Sequence, residues 1–277
     1  MTDTGADTTG VTDTAALQHA LLDLAMRLAV DASALLREGR TRHLVVDTKS
    51  SRTDMVTEVD RASEALIVAG LRAARPHDAI VGEEGTADTG TSGVRWLVDP
   101  IDGTTNYLYG YPAYAVSIAA EVAGQVEVGV VADASNGEVF TAVRGFGAQR
   151  DGVALQVVDH EELATALVGT GFSYLADRRA RQAQVLTSVL PVVRDVRRAG
   201  SAALDLCWVA AGRLDAFYEK GLGPWDLAAG ALIATEAGAR AGDLDGGAPS
   251  TQFVLAAAPS LFEPLRAALI AAGASDA

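Results

Sequence analysis

The stretch "LVDPIDGTTNYLYG", Leu97 to Gly110, sets two aspartates three positions apart around a proline, then a glycine and two threonines, directly after an apolar run. The run reads as a strand that ends at Asp99. Pro100 biases Asp99 toward an extended backbone and removes an amide hydrogen, and Gly103 permits a sharp entry into a helix or turn near Thr104. Both carboxylates then stand at a strand end beside the free amides of a helix start, where phosphate is readily bound. Carboxylates and phosphate repel each other unless cations lie between them, and an all-oxygen donor set suits magnesium. In isolation the same residues also read as an Asx-Pro turn in which Asp102 is a helix cap.

Two further stretches place acids at element junctions. "VGEEG" sets Glu83 and Glu84 at the end of another short strand, and "GPWDLAAGALIATEAGA" sets Asp226 at the start of a helix opened by Pro224 and Trp225. Singly, the glutamates read as solvated surface and Asp226 as a favourable first-turn acid. Together they form a set at the junctions where α/β folds build their sites. His19, His43, His77 and His160 lie away from all of these positions, so neither a zinc-type histidine cluster nor Ser-His-Asp catalysis is supported. No GxxxxGK[ST] loop and no dinucleotide fingerprint is present.

Outward from these junctions, the apolar spacing predicts an amphipathic helix over about 15–40 and a second over about 60–74, with Thr57 or Asp60 as its cap and Pro76 beyond its end. The loop "GTADTGTSG" reads as a surface excursion. From Tyr114 to Ala148, alternating apolar runs with turn signals predict an antiparallel meander. After Gly152 strands and helices alternate: a strand at "ALVGTGF", a helix over 176–190, a strand at "VVRDVR", a helix over 201–211, a strand at "LDAFYE", a helix over 225–238, a strand at "FVLAAA" and a terminal helix from Leu261. The expected organisation is a disordered tail over 1–14, an α+β half over 15–152 and an α/β half over 153–277, the halves forming one compact unit.

The chain has 277 residues, 49% of them hydrophobic, enough to bury a substantial core, and a formal net charge of −14. That charge argues against nucleic acid as the main partner. No apolar run approaches the length that crosses a bilayer, and the polar N-terminus has neither signal nor anchor character. Cys207, the single cysteine, sits in the apolar pattern "ALDLCWVAAG" and reads as a buried thiol, which fits a cytoplasmic protein.

"DPIDGTTNY" resembles the D-P-x-D-G-T-x-N-F/Y signature of the inositol monophosphatase family, and "WDLAAGALIATEAGAR" is similar to its second signature, departing at Ala239 where glycine is common. "KSSRTDMVTEVD", "GEE" and "GSAALDLCWVAAGRLDAFYE" match further family pieces in the family's order, so the likeness spans about 15–258. The resemblance implies a layered αβαβα sandwich of the sugar-phosphatase type and a magnesium-dependent, lithium-sensitive phosphomonoesterase, commonly a homodimer. It puts Glu83, Asp99 and the Ile101 carbonyl on a first metal, and Asp99, Asp102 and Asp226 on a second, with a third weakly held ion near Glu83. Thr104 and Asp60 would orient the attacking water, and the Gly103 and Thr104 amides would bind phosphate. Asp102, Gly200, Ser201, Ala202, Glu219 and Asp226 fall at the hydroxyl-binding positions.

Each carried-over position keeps a plainer alternative. Asp60 is a natural N-cap, Glu219 a strand-edge residue, and Gly200 to Ala202 a helix start. Lys49 reads as a mobile-loop lysine, and Ser173, in "GTGFSY", is weighed as a substrate contact but not adopted as one. The implied activity is hydrolysis of inositol 1-phosphate, with histidinol phosphate, fructose bisphosphate or phosphoadenosine phosphate as the alternatives offered by relatives. A protein-binding regulatory role is the reading from another class. The meander around 115–131 supplies apolar sheet surface that a dimer partner is expected to cover.

Overall fold

The computed structural model describes residues 8–40, 46–49, 55–159 and 161–277. Its elements, in chain order, begin with α1 (Thr8–Gly39), β1 (Val46–Thr48), β2 (Met55–Thr57), α2 (Glu58–Ala74), β3 (Ala79–Gly82), β4 (Ala87–Asp88), β5 (Val94–Asp102) and α3 (Thr104–Tyr109). The meander follows as β6 (Ala115–Val122), β7 (Gln125–Asp133), β8 (Val139–Val143), β9 (Gly147–Arg150) and β10 (Val153–Ala154). The remainder is β11 (Leu167–Thr170), α4 (Ala176–Val189), β12 (Asp195–Arg197), α5 (Ala202–Ala210), β13 (Ala216–Glu219), α6 (Pro224–Glu236), β14 (Arg240–Gly242), β15 (Val254–Ala257) and α7 (Pro259–Ala271).

Strands β10-β9-β8-β7-β6-β5-β3-β4 form an eight-stranded sheet, antiparallel except for the β3–β5 pair. A five-stranded sheet runs β12-β11-β13-β15-β14, parallel across its first three strands. Side-chain alternation decides which face of each strand meets which helices. Trp96 and Val98 of β5 pack with Leu21, Leu28 and Ile67 of α1 and α2, while Leu97 packs on the other face with Leu204 and Ile233 of α5 and α6. On the second sheet, Phe217, Val254 and Ala256 face α5 and α6, whereas Tyr218, Leu255 and Ala257 face α4 and α7. The layers are therefore α1–α2, first sheet, α5–α6, second sheet, α4–α7: the expected αβαβα sandwich.

Several boundaries differ from the sequence reading. Residues 1–7 of the expected tail lie outside the described residues; helix α1 already runs at Thr8, as extending a formed helix adds one hydrogen bond per residue fixed. The surface excursion carries the short edge strand β4, paired to β3 through Ile80 and Asp88. "VVRDVR" contributes only Asp195–Arg197, because a 3-10 turn over Leu190–Val192 takes up its start. His43 and His160 lie outside the described residues, and so do positions 50–54 of the "KSSRTDMVTEVD" stretch.

One argument for a partner subunit fails. The apolar face at 115–131 is buried within the chain itself, by α1–α2 on one side and α5–α6 on the other, so it offers no surface to a second copy. Cys207 is buried in the α5 layer, as its pattern predicted.

Candidate active site

The register of β5 explains how two aspartates come to share the end of one strand. Three positions separate Asp99 from Asp102, so plain alternation would send them to opposite faces. The β5–β6 ladder instead pairs Asp99 with Ser117 and Asp102 with Ala115, two residues apart on β6, with a bulge between. The inserted residue restores both aspartates to the face that meets α5 and α6. Pro100, lacking an amide donor, sits at the bulge where no ladder bond is lost.

After the bulge, Gly103 adopts φ 92° and starts α3. A Cβ there would stand 2.8 Å from the Ala113 carbonyl oxygen, so both the backbone angle and the space require glycine. Locally the turn is tied by the Ile101 amide donating to Asp99 Oδ1 at 3.0 Å. Thr104 Oγ1 lies 3.1 Å from the Ile101 carbonyl oxygen and 3.0 Å from Asp60 Oδ1, so its one proton serves one or the other.

Asp60 is not itself the N-cap of α2, but it serves that helix start and also pairs with Thr104. Thr57 is the N-cap of α2 and Asp60, in the first turn, completes a capping box: its Oδ2 accepts from the Thr57 amide at 2.8 Å and from the Thr57 hydroxyl. Its second oxygen is left for Thr104. Asp226, in the first turn of α6, makes half of that arrangement, accepting from the Gly223 amide at 2.7 Å, since glycine has no side chain to return the bond. Asp102 caps no helix of its own neighbourhood. Its Oδ2 reaches across to α5, accepting from Ser201 Oγ at 2.6 Å and the Ala203 amide at 2.7 Å.

Glu83, Asp99, Asp102, Thr104, Glu219 and Asp226 all line one cavity of about 280 Å³, with the Ile101 and Gly103 backbone and Gly200 and Ala202. Glu83 is held there because Glu64 braces the following turn, accepting from the Glu84 amide at 2.7 Å and the Thr86 amide at 3.2 Å. Lys49 Nζ pairs with Glu83 Oε1 at 2.8 Å and with Glu84. The two carboxylates outweigh the opposing effect of burial and push the ammonium above the usual lysine range. Ser201 does not line the cavity; it acts through Asp102 and as N-cap of α5, accepting from the Leu204 amide.

Crowding shapes the acids. Burial, then the charges of Glu83, Asp102 and Asp226, lifts the Asp99 carboxyl well above its ordinary range. Burial, Asp102 and Glu83 do the same to Asp226. Asp102 rises to about 6, burial again leading, with the Ser201 and Ala203 bonds pulling the other way. Among the described residues no three His, Cys, Asp or Glu side chains already close on one point as a finished cation cage. The donor set nevertheless fits hard divalent cations: all oxygen, buried, and mutually repelling until positive charge is placed between its members. The Lys49 ammonium supplies part of that charge at Glu83.

Sequence reasoning missed Arg198, which lines the cavity beside Gly200; a Cβ on Gly200 would collide with its Nη1. It also missed the Phe172–Leu175 segment as a wall, apart from Ser173, which does line the cavity. Glu219 lies against Gly171, where a Cβ would overlap its carboxylate, and burial lifts it to about 8. No motif announces these contacts, since each joins segments far apart in the chain.

A sequence profile described as the inositol monophosphatase family matches residues 17–274. An inositol-1-monophosphatase from Mycobacterium bovis is 48% identical over 271 residues, covering 90% of this chain and 93% of the relative. A protein of Pseudomonas aeruginosa named Nus factor SuhB is 44% identical, covering 82% and 86%. Among solved structures, the extragenic suppressor protein SuhB of Bartonella henselae superposes with a TM-score of 0.86 at 36% identity, covering 90% of this chain and 98% of that one.

Proposed function

The chain belongs to the inositol monophosphatase family, and on that premise we propose that it hydrolyses inositol 1-phosphate in a magnesium-dependent reaction. It is an enzyme, a phosphatase. The observation that carries the finer reading is the convergence of four acids, Glu83 after β3, Asp99 and Asp102 of β5 and Asp226 of α6, on one cavity that also holds Glu219 and the Thr104 paired with Asp60.

In this reading Glu83, Asp99 and the Ile101 carbonyl would hold one ion and Asp99, Asp102 and Asp226 another, and a third would be weakly held near Glu83. Bound magnesium acidifies water and takes up charge developing on phosphate and leaving oxygens. The remaining work falls to the chain. Thr104 donates its proton to Asp60, leaving a hydroxyl lone pair to accept from the attacking water and fix its direction. Asp60, lifted by burial above its ordinary value, is a better proton acceptor than an exposed aspartate. The Gly103 and Thr104 amides, at a helix start without intrahelical acceptors, face the phosphate. Water's oxygen bonds to phosphorus, the bond from phosphorus to the alcohol oxygen breaks, and that oxygen takes up a proton. Glu219, Gly200 and Ala202 receive the alcohol's hydroxyls, which is where selectivity among esters resides.

The test is phosphate release with magnesium, side by side on inositol 1-phosphate, histidinol phosphate, fructose bisphosphate and phosphoadenosine phosphate. Turnover of inositol 1-phosphate far below one of the others moves the substrate assignment; no turnover on any ester ends the phosphatase reading. A homodimer in the cytosol completes the proposal, checked by light scattering and cell fractionation. The kinship with proteins named Nus factor SuhB favours one second reading, a protein-binding role in transcription control. A stable complex with transcription proteins, recovered from lysate equally with wild type and a turnover-dead variant, would support it.

A further inference from the structure

Besides its acids, the cavity is lined by four large apolar residues: Phe172, Tyr174 and Leu175 from the segment between β11 and α4, and Leu222 from the segment between β13 and α6. Tyr174 is 42% exposed and Leu175 53%. The backbone beneath them is fixed by α4. The Ser173 amide donates to Gln182 Oε1 at 2.8 Å, and Arg179 Nη1 donates to the Ser173 and Tyr174 carbonyls at 3.0 and 3.3 Å. Within the segment, the Leu175 amide donates to Ser173 Oγ at 3.1 Å. On the other segment, Leu222 is half-buried against the core cluster that contains Leu206 and Phe217.

Apolar side chains left in water on a fixed backbone give up transfer free energy that a ligand can recover by covering them. Because α4 already ties the segment down, such a ligand orders little further chain when it binds. These residues line the same cavity as Glu83, Asp99, Asp102 and Asp226, so the molecule that covers them is the one whose phosphate reaches those acids. Small-molecule sites are commonly built in this way, a few polar groups fixing orientation and apolar walls supplying affinity. Glu219, Gly200 and Ala202 recognise an alcohol only through its further hydroxyls. The apolar walls need none.

We propose that Phe172, Tyr174, Leu175 and Leu222 form an apolar platform for the face of a ring in the leaving alcohol, so that phosphate esters of alicyclic and aryl-alkyl alcohols are substrates even without a further hydroxyl. The inference rests on the phosphatase reading of the acidic end and extends it to a class of alcohol. The acids take the phosphate, and the platform selects by the apolar area of what the phosphate is attached to. Tyr174 and Leu175 are the specificity-determining pair, since they are the most exposed of the four and have the most surface to bury.

The experiment compares kcat/KM, with magnesium, on cyclohexyl phosphate and on isopropyl phosphate, which share a secondary alkyl ester without hydroxyls and differ in the ring. Wild type is expected to favour the cyclohexyl ester by ~10-fold or more, and the double variant Tyr174→Ala with Leu175→Ala to bring that ratio near one, the change lying in KM. Tyr174→Phe should keep the preference, because the face of the side chain makes the contact and its hydroxyl does not. Equal kcat/KM on both esters in wild type, a preference untouched by the double variant, or one abolished by Tyr174→Phe overturns the platform while leaving the phosphatase reading intact. Should neither ester turn over, calorimetry of the two on the protein with magnesium decides the platform alone. Tighter binding of the cyclohexyl ester that the double variant removes supports it, and equal binding overturns it; phosphate release from inositol 1-phosphate then decides the phosphatase reading separately.

Discussion

Along the β5–α3 side of the cavity, Asp99, Ile101 and Thr104 hold one another through bonds spanning two or three residues. On the α5–β13 side nothing is local. Asp102 needs Ser201 and the Ala203 amide, and Glu219 needs the bare backbone of Gly171. The first side is a preformed turn that the chain makes wherever the strand ends. The second exists only when both sheets and the helix layer between them are in place. Changes to the carboxylates of the first should therefore remove chemistry and spare the fold, and changes to the second should alter selectivity and stability together.

The largest break in that contrast is Asp99→Asn. Turnover should fall by ~10³-fold or more, since an amide cannot supply the charge that two adjacent cations demand. Folding should survive, and the metal-free variant should melt above metal-free wild type because one member of the repelling set is gone. Steady-state kinetics and melting with and without magnesium read both effects. Wild-type turnover would show the acids to be turn and cap residues only.

Next is Gly103→Ala on the same side, which adds backbone strain and a clash with Ala113. A cost of about 1–3 kcal/mol is expected, along with a loss of kcat as Thr104 moves off Asp60. Urea melts and kinetics on the variant measure the two; a neutral result would mean the turn is less tightly set than its bonds indicate.

Glu219→Gln sharpens the other side. It should change the ranking among phosphate esters more than the magnesium dependence. Its pH signature is separate. Burial lifts the folded-state carboxyl from the ordinary 4.5 to about 8, with Arg198 opposing and Asp102 adding. The folded protein thus keeps a proton the unfolded chain releases, and stability drains away as pH climbs from about 4.5 to about 8, with no further loss above. Across that window the glutamine variant should show a flatter melting profile and melt higher than wild type at the alkaline end. The smallest effect is Ser201→Ala, which removes the α5 cap and one donor to Asp102; ~1 kcal/mol of stability and a modest loss of kcat are expected from denaturant melts and kinetics.

The same contrast explains what the sequence made legible. Strand β5, the turn after it and the first-turn acids of α2 and α6 could be read because their signals are proline, glycine and cap residues within a few positions of one another. The apolar run Trp96, Leu97 and Val98 could be read as a strand, and the structure buries it on both faces. Its bulge was hidden, because only pairing with β6 reveals that Asp99 and Asp102 share a face. Arg198, the loop at Phe172 and the bracing of Glu83 by Glu64 were out of reach for the same reason. The dimer argument from the meander failed because the two helix layers that cover it come from opposite ends of the chain.

Three helices, α2, α5 and α6, begin at or beside the cavity, and each start is stapled by an acid of the site. The positive end of each helix dipole therefore lies at or beside the cavity, where its influence reaches about one helical turn. The charge of −14 acts over a much longer range and with the opposite sign. With cations bound at the four acids, an anionic substrate approaching from bulk solution would be repelled until it is within a few ångströms of the mouth, and drawn in after that. Salt shortens the far field before it weakens the near one, since the Debye length falls to ~8 Å at physiological ionic strength. The encounter rate should accordingly rise with ionic strength, opposite to the behaviour of enzymes that steer their substrates in from afar.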